Sequence, residues 1–415
     1  MQLGNGTSGE KSPGDLDRTF ATDGRITIEQ RGTANAIASD KSGGLILAMQ
    51  ENNCFVISRY LPDGEKDPEF QETIWNFEDG DLSTPERVLV LDDGNIVLIG
   101  RSLKVGIQRP AVMKFSEKGI PNLIFGRRIL PVPENSVTPF FRNKFVDGCL
   151  QHGNKILIAA CHKTGLSERP LSRVYCLKIN GELDDTFGDQ SGFIDIALHD
   201  HPCYVTDVQI QKDGSIIVVG SWRYPEETNR TRTAARYTAN GLLDDSFGRA
   251  GYADIFVPDE STTDTTSLKY TDLVNRVAVQ MDDKILIAGY MQGANNLGSG
   301  LLARLTPNGD VDADFNAGTP LLIWRSLNDL TLNALAVQPD GKIVAVGRSL
   351  MAGVTMECYE RISAEGEVES FWRGNSVGDC SDVTIQPSGR VVISGSSGTT
   401  LNGVRYPRVW GRLGG

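Results

Sequence analysis

One motif recurs along the chain and constrains its fold more than any other feature: a glycine is followed six residues later by an aromatic ring. A polar residue, usually acidic, precedes each ring by three positions, where it can bond the backbone and close a tight turn. Repetition of this kind predicts stacked units that share a core, because one unit alone cannot bury its apolar face. The rings of Phe187 and Phe247 are expected to be core residues. Acidic residues such as Asp244 are predicted to close these turns and to pair with arginines such as Arg236. The seven pairs are Gly14/Phe20, Gly64/Phe70, Gly119/Phe125, Gly181/Phe187, Gly241/Phe247, Gly309/Phe315 and Gly366/Trp372.

A second pattern lies between these turns: two apolar runs joined by a polar turn. VQIQKDGSIIVVG at 208–220 and LAVQPDGKIVAVG at 335–347 are typical of β-hairpins. The hairpin turns, from Gly43 to Gly389, are 48 to 69 residues apart. Each period holds about four short apolar runs, the content of one four-stranded propeller blade. The sequence therefore predicts an all-β, seven-bladed β-propeller with four-stranded antiparallel blades.

The two ends of the chain complement each other. The last strand pattern, Val409 to Leu413, lacks its aromatic turn, and a matching turn stands at Gly14 to Phe20, before a predicted strand at Arg25 to Glu29. This arrangement predicts that both termini build the last blade, which pairs strand edges that would otherwise promote aggregation. We expect residues 14–415 to form a single propeller domain and residues 1–13 to be a flexible polar tail.

The repeats resemble those of the bacterial delta-60 repeat β-propellers. The closest copies are AVQPDGKIVAVG at 336–347 and ARYTANGLLDDSFG at 235–248, and the resemblance extends from about Asp15 to Leu413. It implies a propeller fold. It implies no particular activity and no catalytic residues, since propellers include enzymes, lectins and interaction platforms.

Charge and composition restrict the partners and the compartment. The net charge of -12 disfavours nucleic acid, which requires clustered basic residues. No apolar run is long enough for a membrane helix, so we expect no membrane insertion. The start of the chain lacks the features of a signal peptide, and the seven cysteines lack disulfide spacing. We expect a monomer that is cytoplasmic, or exported without an N-terminal signal peptide.

The connections between predicted strands divide into two sets. If each aromatic turn joins the third and fourth strands of a blade, the aromatic turns and the hairpins share one face, which we call the turn face. The longer connections then share the opposite, long-loop face; examples are Ser102 to Pro110, Leu198 to Tyr204 and Pro258 to Asp272. Variable loops on a rigid scaffold usually carry binding sites. The sequence therefore favours a binding or interaction module that recognises a protein or a small polar or carbohydrate ligand on the long-loop face. A signal-less exported effector is an alternative.

Polar residues begin the innermost strand of most predicted blades. When the hairpins are aligned on Gln338, these polar residues lie together at the predicted mouth of the central channel. The third hairpin has Phe145 at this position instead. One interpretation is a small-ligand site, since convergent polar groups in a concavity are typical of one. The other is a solvated rim whose arginines and aspartates pair with one another. The candidate residues are Asn35, Glu86, Arg87, Asp207, Asn275, Arg276, Asn333 and Asp382.

Histidines and a cysteine suggest an enzyme alternative. His199, His201 and Cys203 alternate along one segment, and His162 leaves the third blade on the same predicted face. Imidazole and thiolate ligands suit zinc or another divalent metal, which could activate water in a metal-dependent hydrolase or lactonase. The competing interpretation is a solvated loop with two incidental histidines. No other cofactor is predicted, and the sequence favours a binding protein over an enzyme.

Overall fold

The computed structural model describes residues 12–80, 82–134, 136–137, 146–151, 155–164, 170–222, 231–257, 274–292, 298–324, 328–351, 353–398 and 404–414. These residues contain 28 β-strands and a single short 3-10 turn, Asn316–Gly318, which confirms the all-β prediction. No helix in this part of the chain has the length and apolar character needed to cross a bilayer. Two predicted segments, most of the polar tail 1–13 and the long loop 258–272, lie outside the described residues.

The strands are numbered in their order along the chain. The first half of the chain contains β1 (Arg25–Thr27), β2 (Thr33–Ser39), β3 (Leu45–Glu51), β4 (Cys54–Tyr60), β5 (Thr73–Trp75), β6 (Leu82–Val90), β7 (Ile96–Lys104), β8 (Ile107–Phe115), β9 (Arg128–Ile129), β10 (Ser136–Val137), β11 (Val146–Gln151), β12 (Lys155–Thr164), β13 (Pro170–Leu177) and β14 (Phe193–Leu198). The second half contains β15 (His201–Ile210), β16 (Ile216–Trp222), β17 (Thr231–Tyr237), β18 (Tyr252–Ile255), β19 (Val274–Val279), β20 (Ile285–Gln292), β21 (Gly298–Leu305), β22 (Leu321–Ile323), β23 (Asn328–Val337), β24 (Ile343–Met351), β25 (Val354–Ile362), β26 (Val368–Ile385), β27 (Val391–Gly398) and β28 (Arg405–Arg412).

Consecutive strands pair antiparallel in groups of four. Three groups are separate sheets, β2–β5, β6–β9 and β19–β22. The groups β11–β14 and β15–β18 are joined through β14 and β15, and the short strand β10 adds to β12. The remaining strands form one sheet because β26, 18 residues long, runs from the fourth strand of one group into the first strand of the next.

The two ends of the described chain meet in one sheet. β1 pairs antiparallel with β28, with Ile26 opposite Val409. Before β1, the Gly14 amide donates to the Leu413 carbonyl at 2.8 Å, and the Asp17 amide donates to the Gly411 carbonyl at 2.9 Å. The predicted pairing of the termini is therefore present, although β1 ends at Thr27 rather than at Glu29.

The first strands of the groups contact one another in series. β2 contacts β6, β6 contacts β11, and the series continues through β15, β19 and β23 to β26, which contacts β2. The hydrophobic core lies between neighbouring sheets; in one cluster, Ile46 and Phe55 pack with Leu98 and Met113 of the next sheet. Each sheet thus buries both faces, as a stacked array requires.

The glycine–aromatic motif forms contacts between neighbouring repeats. Phe247 is fully buried, and a Cβ atom on Gly309 of the next repeat would lie 2.9 Å from its ring. Gly309 also has a φ of 90°, a conformation that glycine adopts without strain. The Gly248 amide donates to the Asn308 carbonyl at 2.7 Å across the same junction. Phe187 meets Gly241 in the same way, so the predicted burial of both rings is confirmed.

Candidate functional site

Charged residues on the turn face hold neighbouring repeats together. Arg236 Nε lies 2.7 Å from Asp244 Oδ2, and its guanidinium group lies 5.0 Å from the centre of the Phe247 ring. The same side chain donates from Nη1 to the Pro307 carbonyl of the next repeat at 3.0 Å. Gln211, which directly follows the first strand β15, donates to that carbonyl too, at 3.0 Å, so hairpins and aromatic turns share one face as predicted. The pairing of Arg236 with Asp244 is confirmed.

The opposite end of the first strands carries β-bulges. In six of these strands the register with the next strand skips one residue, and a bulge of this kind re-aims the side chains around it. The skipped residues occupy the position that the sequence aligned at the channel mouth. They are Asn35, Glu86, Thr206, Asn275, Asn333 and Ser381.

The residues that follow four of these bulges converge in a buried cluster. Arg276 contacts Asp147 through Nη1, and its Nη2 lies 2.9 Å from Asp382 Oδ1. Arg276 Nη1 also lies 4.0 Å from Asp207 Oδ2. Arg87 contacts the same two aspartates, with its Nε 3.6 Å from Asp147 Oδ1 and its Nη1 3.5 Å from Asp382 Oδ1. We call these five side chains the central cluster.

The central cluster corrects the predicted position of three candidate residues. The sequence placed Asp207, Arg276 and Asp382 at a polar entrance, whereas the structure leaves at most 2% of each residue exposed. Each of these three residues follows a bulge that directs its side chain towards the other first strands, where it contacts side chains of opposite charge. Arg87 is the most accessible member, with 22% of its side chain exposed. The arginines and aspartates pair with one another, as one of the two interpretations expected, but in the buried interior rather than at a solvated rim.

Asp147 is the member of the central cluster that sequence reasoning missed. Phe145, which lies outside the described residues, occupies the mouth only in an alignment that shifts the third hairpin by one residue. Aligning Gln151 directly with Gln211 puts Asp147 at the position of Asp207. A slip of one residue changes which side chains share a face, because side chains alternate along a strand.

Three carboxyl groups and two guanidinium groups leave the central cluster with an excess of acid. Burial raises the pKa of Asp207 to about 7, and the Asp147 carboxylate adds to this rise, whereas Arg276 and Arg87 oppose it. The backbone amides of Val208 and Val277 donate to Asp207 at 2.8 and 2.9 Å. Burial acts to lower the pKa of Arg276, but the surrounding aspartates outweigh it and hold that pKa above its ordinary value.

The bulge residues themselves mostly bond nearby strands. Asn275 Nδ2 donates to the Leu332 carbonyl at 2.7 Å, and Asn333 Nδ2 donates to the Cys380 carbonyl at 2.9 Å. Glu86 is buried and pairs with Arg101 Nε at 2.9 Å. Asn35 accepts a hydrogen bond from the Thr33 hydroxyl at 2.6 Å. The three asparagines remain half-buried above the central cluster.

Two of the predicted metal ligands lie close together, at the start of β15. His199 Nε2 lies 3.0 Å from Asp254 Oδ1, and the His199 ring centre lies 5.0 Å from that of Trp222. The His201 ring stacks on Trp222 at 4.9 Å and 4°. The connection that carries His199 is a two-residue turn, His199–Asp200, rather than the predicted loop from Leu198 to Tyr204.

The other two predicted ligands have different partners. His162 is buried beside the Tyr175 hydroxyl at 3.1 Å, and burial, with the Arg173 charge, lowers its pKa to about 4. Cys203 is buried with its Sγ atom 3.3 Å from the Ile196 carbonyl, and burial raises its pKa. Across the described ranges, no three His, Cys, Asp or Glu side chains are arranged to hold a metal ion.

Comparisons with known proteins place the repeats in context. A family model described as a domain of unknown function (DUF5122) beta-propeller matches residues 211–247 and 280–315. Together with the four-stranded antiparallel groups, this match supports a bacterial β-propeller repeat family and gives the chain a β-propeller fold. No curated protein matches the chain.

Solved structures that resemble the chain have low sequence identity. A protein of unknown function from Dyadobacter fermentans is 11% identical, with a TM-score of 0.50 over 94% of this chain and 98% of that chain. Virginiamycin B lyase from Staphylococcus aureus is 10% identical, with a TM-score of 0.49 over 93% and 98%. The α-L-arabinofuranosidase Arb93A from Fusarium graminearum is 9% identical, with a TM-score of 0.48 over 95% and 98%. At these identities the similarity concerns the fold alone.

Proposed function

We propose that the chain is a closed, seven-bladed propeller that works as a binding module, with its ligand recognised on the long-loop face. The serial contacts from β2 round to β26, and the pairing of β1 with β28, support closure with one blade built from both termini. In this proposal residues 14–415 form one domain, and the protein is a monomer.

One observation carries the binding role: the two faces of the repeats differ in how they use polar side chains. On the turn face, the contacts of Arg236 recur in the next repeat, where Arg304 bonds Asp312 at 2.6 Å. Polar groups near the long-loop end differ from repeat to repeat. They include the pairs Glu86–Arg101, His199–Asp254 and Asp379–Arg405. A face that varies on a constant scaffold is where recognition is expected.

The chemistry of this face favours a small polar or carbohydrate ligand. Half-buried amides at Asn35, Asn275 and Asn333 surround the mouth, and side-chain amides both donate and accept hydrogen bonds. The pairs nearby carry both signs of charge, so the face has no strong bias towards anions or cations. Hydroxyl-rich ligands match such a surface because each hydroxyl group also donates and accepts.

A glycan array probed with the purified chain tests this proposal, followed by calorimetry on any glycan that binds. Asn35→Ala and Arg101→Ala change the mouth without touching the central cluster, and each should weaken binding about threefold to tenfold, the effect of one hydrogen bond. The matched control is Lys118→Ala, which changes an exposed side chain on the turn face. If Lys118→Ala weakened binding and both mouth variants bound normally, the long-loop face would not be the recognition surface. If no glycan bound, a carbohydrate ligand would be ruled out.

A further inference from the structure

A chain of polar contacts ends at His199, on the long-loop side of the fourth repeat. Trp222 Nε1 donates to Thr233 Oγ1 at 2.9 Å, and Thr233 Oγ1 donates to Asp254 Oδ1 at 2.5 Å. The same carboxylate oxygen lies 3.0 Å from His199 Nε2. Trp222 and Thr233 are buried, whereas 28% of the His199 side chain is exposed. The contacts therefore run from the core to a half-exposed imidazole.

The directions of these hydrogen bonds determine the tautomer of His199. An indole N–H only donates, so the Thr233 oxygen accepts from Trp222 and directs its single proton to Asp254. An ionised carboxylate only accepts, so His199 Nε2 must carry the proton of their shared hydrogen bond. When the imidazole is neutral, its lone pair is therefore on Nδ1. A neighbouring carboxylate that fixes the tautomer in this way is the usual support for a general base.

The backbone at His199 is held in an uncommon conformation. His199 and Asp200 have φ values of 49° and 61°, and together they form the two-residue turn between β14 and β15. Such turns favour Asn-Gly, because most side chains are strained at positive φ. The Tyr252 ring centre lies 4.3 Å from that of His199. Strain retained at an exposed polar side chain is an observation that points towards function.

The charges around His199 limit the substrate. Asp254 places a carboxylate beside the imidazole, and Asp200, the next residue in the chain, acts electrostatically on Tyr252. Tyr252, whose ring contacts His199, and His201, which stacks on Trp222, are further titratable groups nearby. These carboxylates would repel phosphate esters and other anions. A neutral carboxylic ester or lactone meets no such repulsion. Its alkoxide leaving group can recover a proton from the same imidazole, so one base supports the whole reaction.

We propose that His199 Nδ1 is the general base of a hydrolytic site for neutral carboxylic esters or lactones, an activity beyond the binding role. Nδ1 takes a proton from water as the water oxygen bonds to the acyl carbon. The bond from the acyl carbon to the alkoxy oxygen then breaks, and the imidazolium proton passes to the departing alkoxide. The products are an acid and an alcohol, and no oxidant or further reactant is consumed. Asp254 is a positioning residue that holds the productive tautomer.

Nitrogen NMR on the full chain tests the positioning step without a substrate. In mildly alkaline solution, His199 of the ¹⁵N-labelled protein should show a protonated Nε2 and an unprotonated Nδ1. In Asp254→Ala this preference should fall towards a mixture of the two tautomers, while the spectrum of the backbone amides stays that of a folded chain. A wild-type His199 protonated on Nδ1 would overturn the proposal, because Nδ1 could not then accept a proton.

Hydrolysis of p-nitrophenyl butyrate and γ-butyrolactone tests the chemical step. General bases contribute roughly 10²–10⁴-fold, so His199→Gln should lower kcat/KM about a hundredfold. Asp254→Ala should lower kcat more than it raises KM. The matched control is Asp340→Asn, an exposed change on the turn face that should leave the rate unchanged. Equal rates for the wild type and folded His199→Gln on both compounds would refute the proposal. Loss of activity in His201→Gln with retention in His199→Gln would also refute it, since the base would then be the other imidazole.

Discussion

At the scale of single residues, the repeated positions have the same role wherever the residue types are retained. Hydrogen bonds from Ser246 and the pairing with Arg236 hold the pKa of Asp244 below its ordinary value. The pKa of Asp312 is also held below its ordinary value. Burial of this carboxyl group raises its pKa, but hydrogen bonds from the Asp314 amide, Lys284 and Arg304 outweigh that effect. Arg304 lies 4.9 Å from the Phe315 ring, as Arg236 does from Phe247 at 5.0 Å. The acid, the arginine and the ring form one unit of packing.

The aromatic ring of this unit should contribute strongly to stability. Phe247→Ala removes a fully buried ring, and the lost transfer energy and the resulting cavity should together cost about 3–5 kcal/mol. Urea unfolding followed by fluorescence measures the change. The control is Leu242→Ala in the same turn, where 59% of the residue is exposed and the cost should stay within about 0.5 kcal/mol. Similar costs for the two variants would contradict the structural role of the motif.

At the scale of elements, several connections are tighter than the sequence indicated. The predicted loop from Ser102 to Pro110 is the end of a regular hairpin, in which Lys104 of β7 pairs with Ile107 of β8. Val105 and Gly106 form its two-residue turn, with φ values of 50° and 71°. The sequence pattern of this segment predicts a loop because polar and charged residues continue through both strand ends. Antiparallel pairing tolerates such residues on a solvent-facing edge.

Removal of the N-terminal element should destabilise the sheet that it completes. Deleting residues 1–30 removes β1 and Phe20, which is fully buried, and leaves the outer edge of β28 without its partner. We expect aggregation or a large fall in melting temperature, measured by calorimetry and light scattering. Deletion of residues 1–11 is the comparison, because it leaves every contact described above in place. A 1–30 deletion that stays monomeric and melts like the wild type would show that both termini are not needed for closure.

At the scale of the whole molecule, the central cluster connects strands that are far apart in the chain. Its members come from β6, β11, β15, β19 and β26. Arg276 and Asp147 are separated by 129 residues and Arg276 and Asp382 by 106. A buried ion pair contributes less to stability than its geometry suggests, because both charges lose their water. Breaking such a pair is nevertheless costly, because it leaves an uncompensated buried charge.

Removal of the central arginine should therefore be severe. Arg276→Ala leaves three neighbouring carboxylates with one guanidinium group, and we expect it to destabilise the fold by about 3–5 kcal/mol in denaturant unfolding. Lys41→Ala is the control, since 79% of the Lys41 side chain and 86% of that of its partner Asp92 are exposed, and their pair should contribute at most about 1 kcal/mol. A mild effect of Arg276→Ala would mean that water reaches the cluster and screens the aspartates.

Stability should also depend on pH through Asp207. Its pKa rises from 3.8 to about 7 on folding, so between these values the folded state holds a proton that the unfolded state has lost. This contribution to stability is complete below the unfolded value and is lost as pH rises through the folded value. Asp207→Asn removes it and adds a cost that does not vary with pH. The free energy of unfolding of the wild type should therefore fall, relative to that of Asp207→Asn, between about pH 4 and pH 7. A constant difference across that range would show that Asp207 does not titrate there.

Local spacing in the sequence determined the framework of this protein. Alternating apolar residues, polar turns and the glycine–aromatic interval predicted the antiparallel hairpins, the buried rings of Phe187 and Phe247, and the pairing of the chain ends. These features depend on neighbours along the chain and on repetition, both of which a single sequence displays. The pairing of Arg236 with Asp244 was predictable for the same reason, since the two residues lie in one repeat.

Only the tertiary structure decided what the polar residues do. A bulge in each of several first strands aims Arg87, Asp207 and Arg276 at one buried point, where the sequence had indicated an open mouth. His199 contacts Asp254, which lies 55 residues further along the chain. His199 is placed there by a two-residue turn in a segment for which the sequence predicted a longer loop. Local patterns do not encode such meetings, because the direction of a side chain after a bulge and its partner on another strand depend on how the sheets pack.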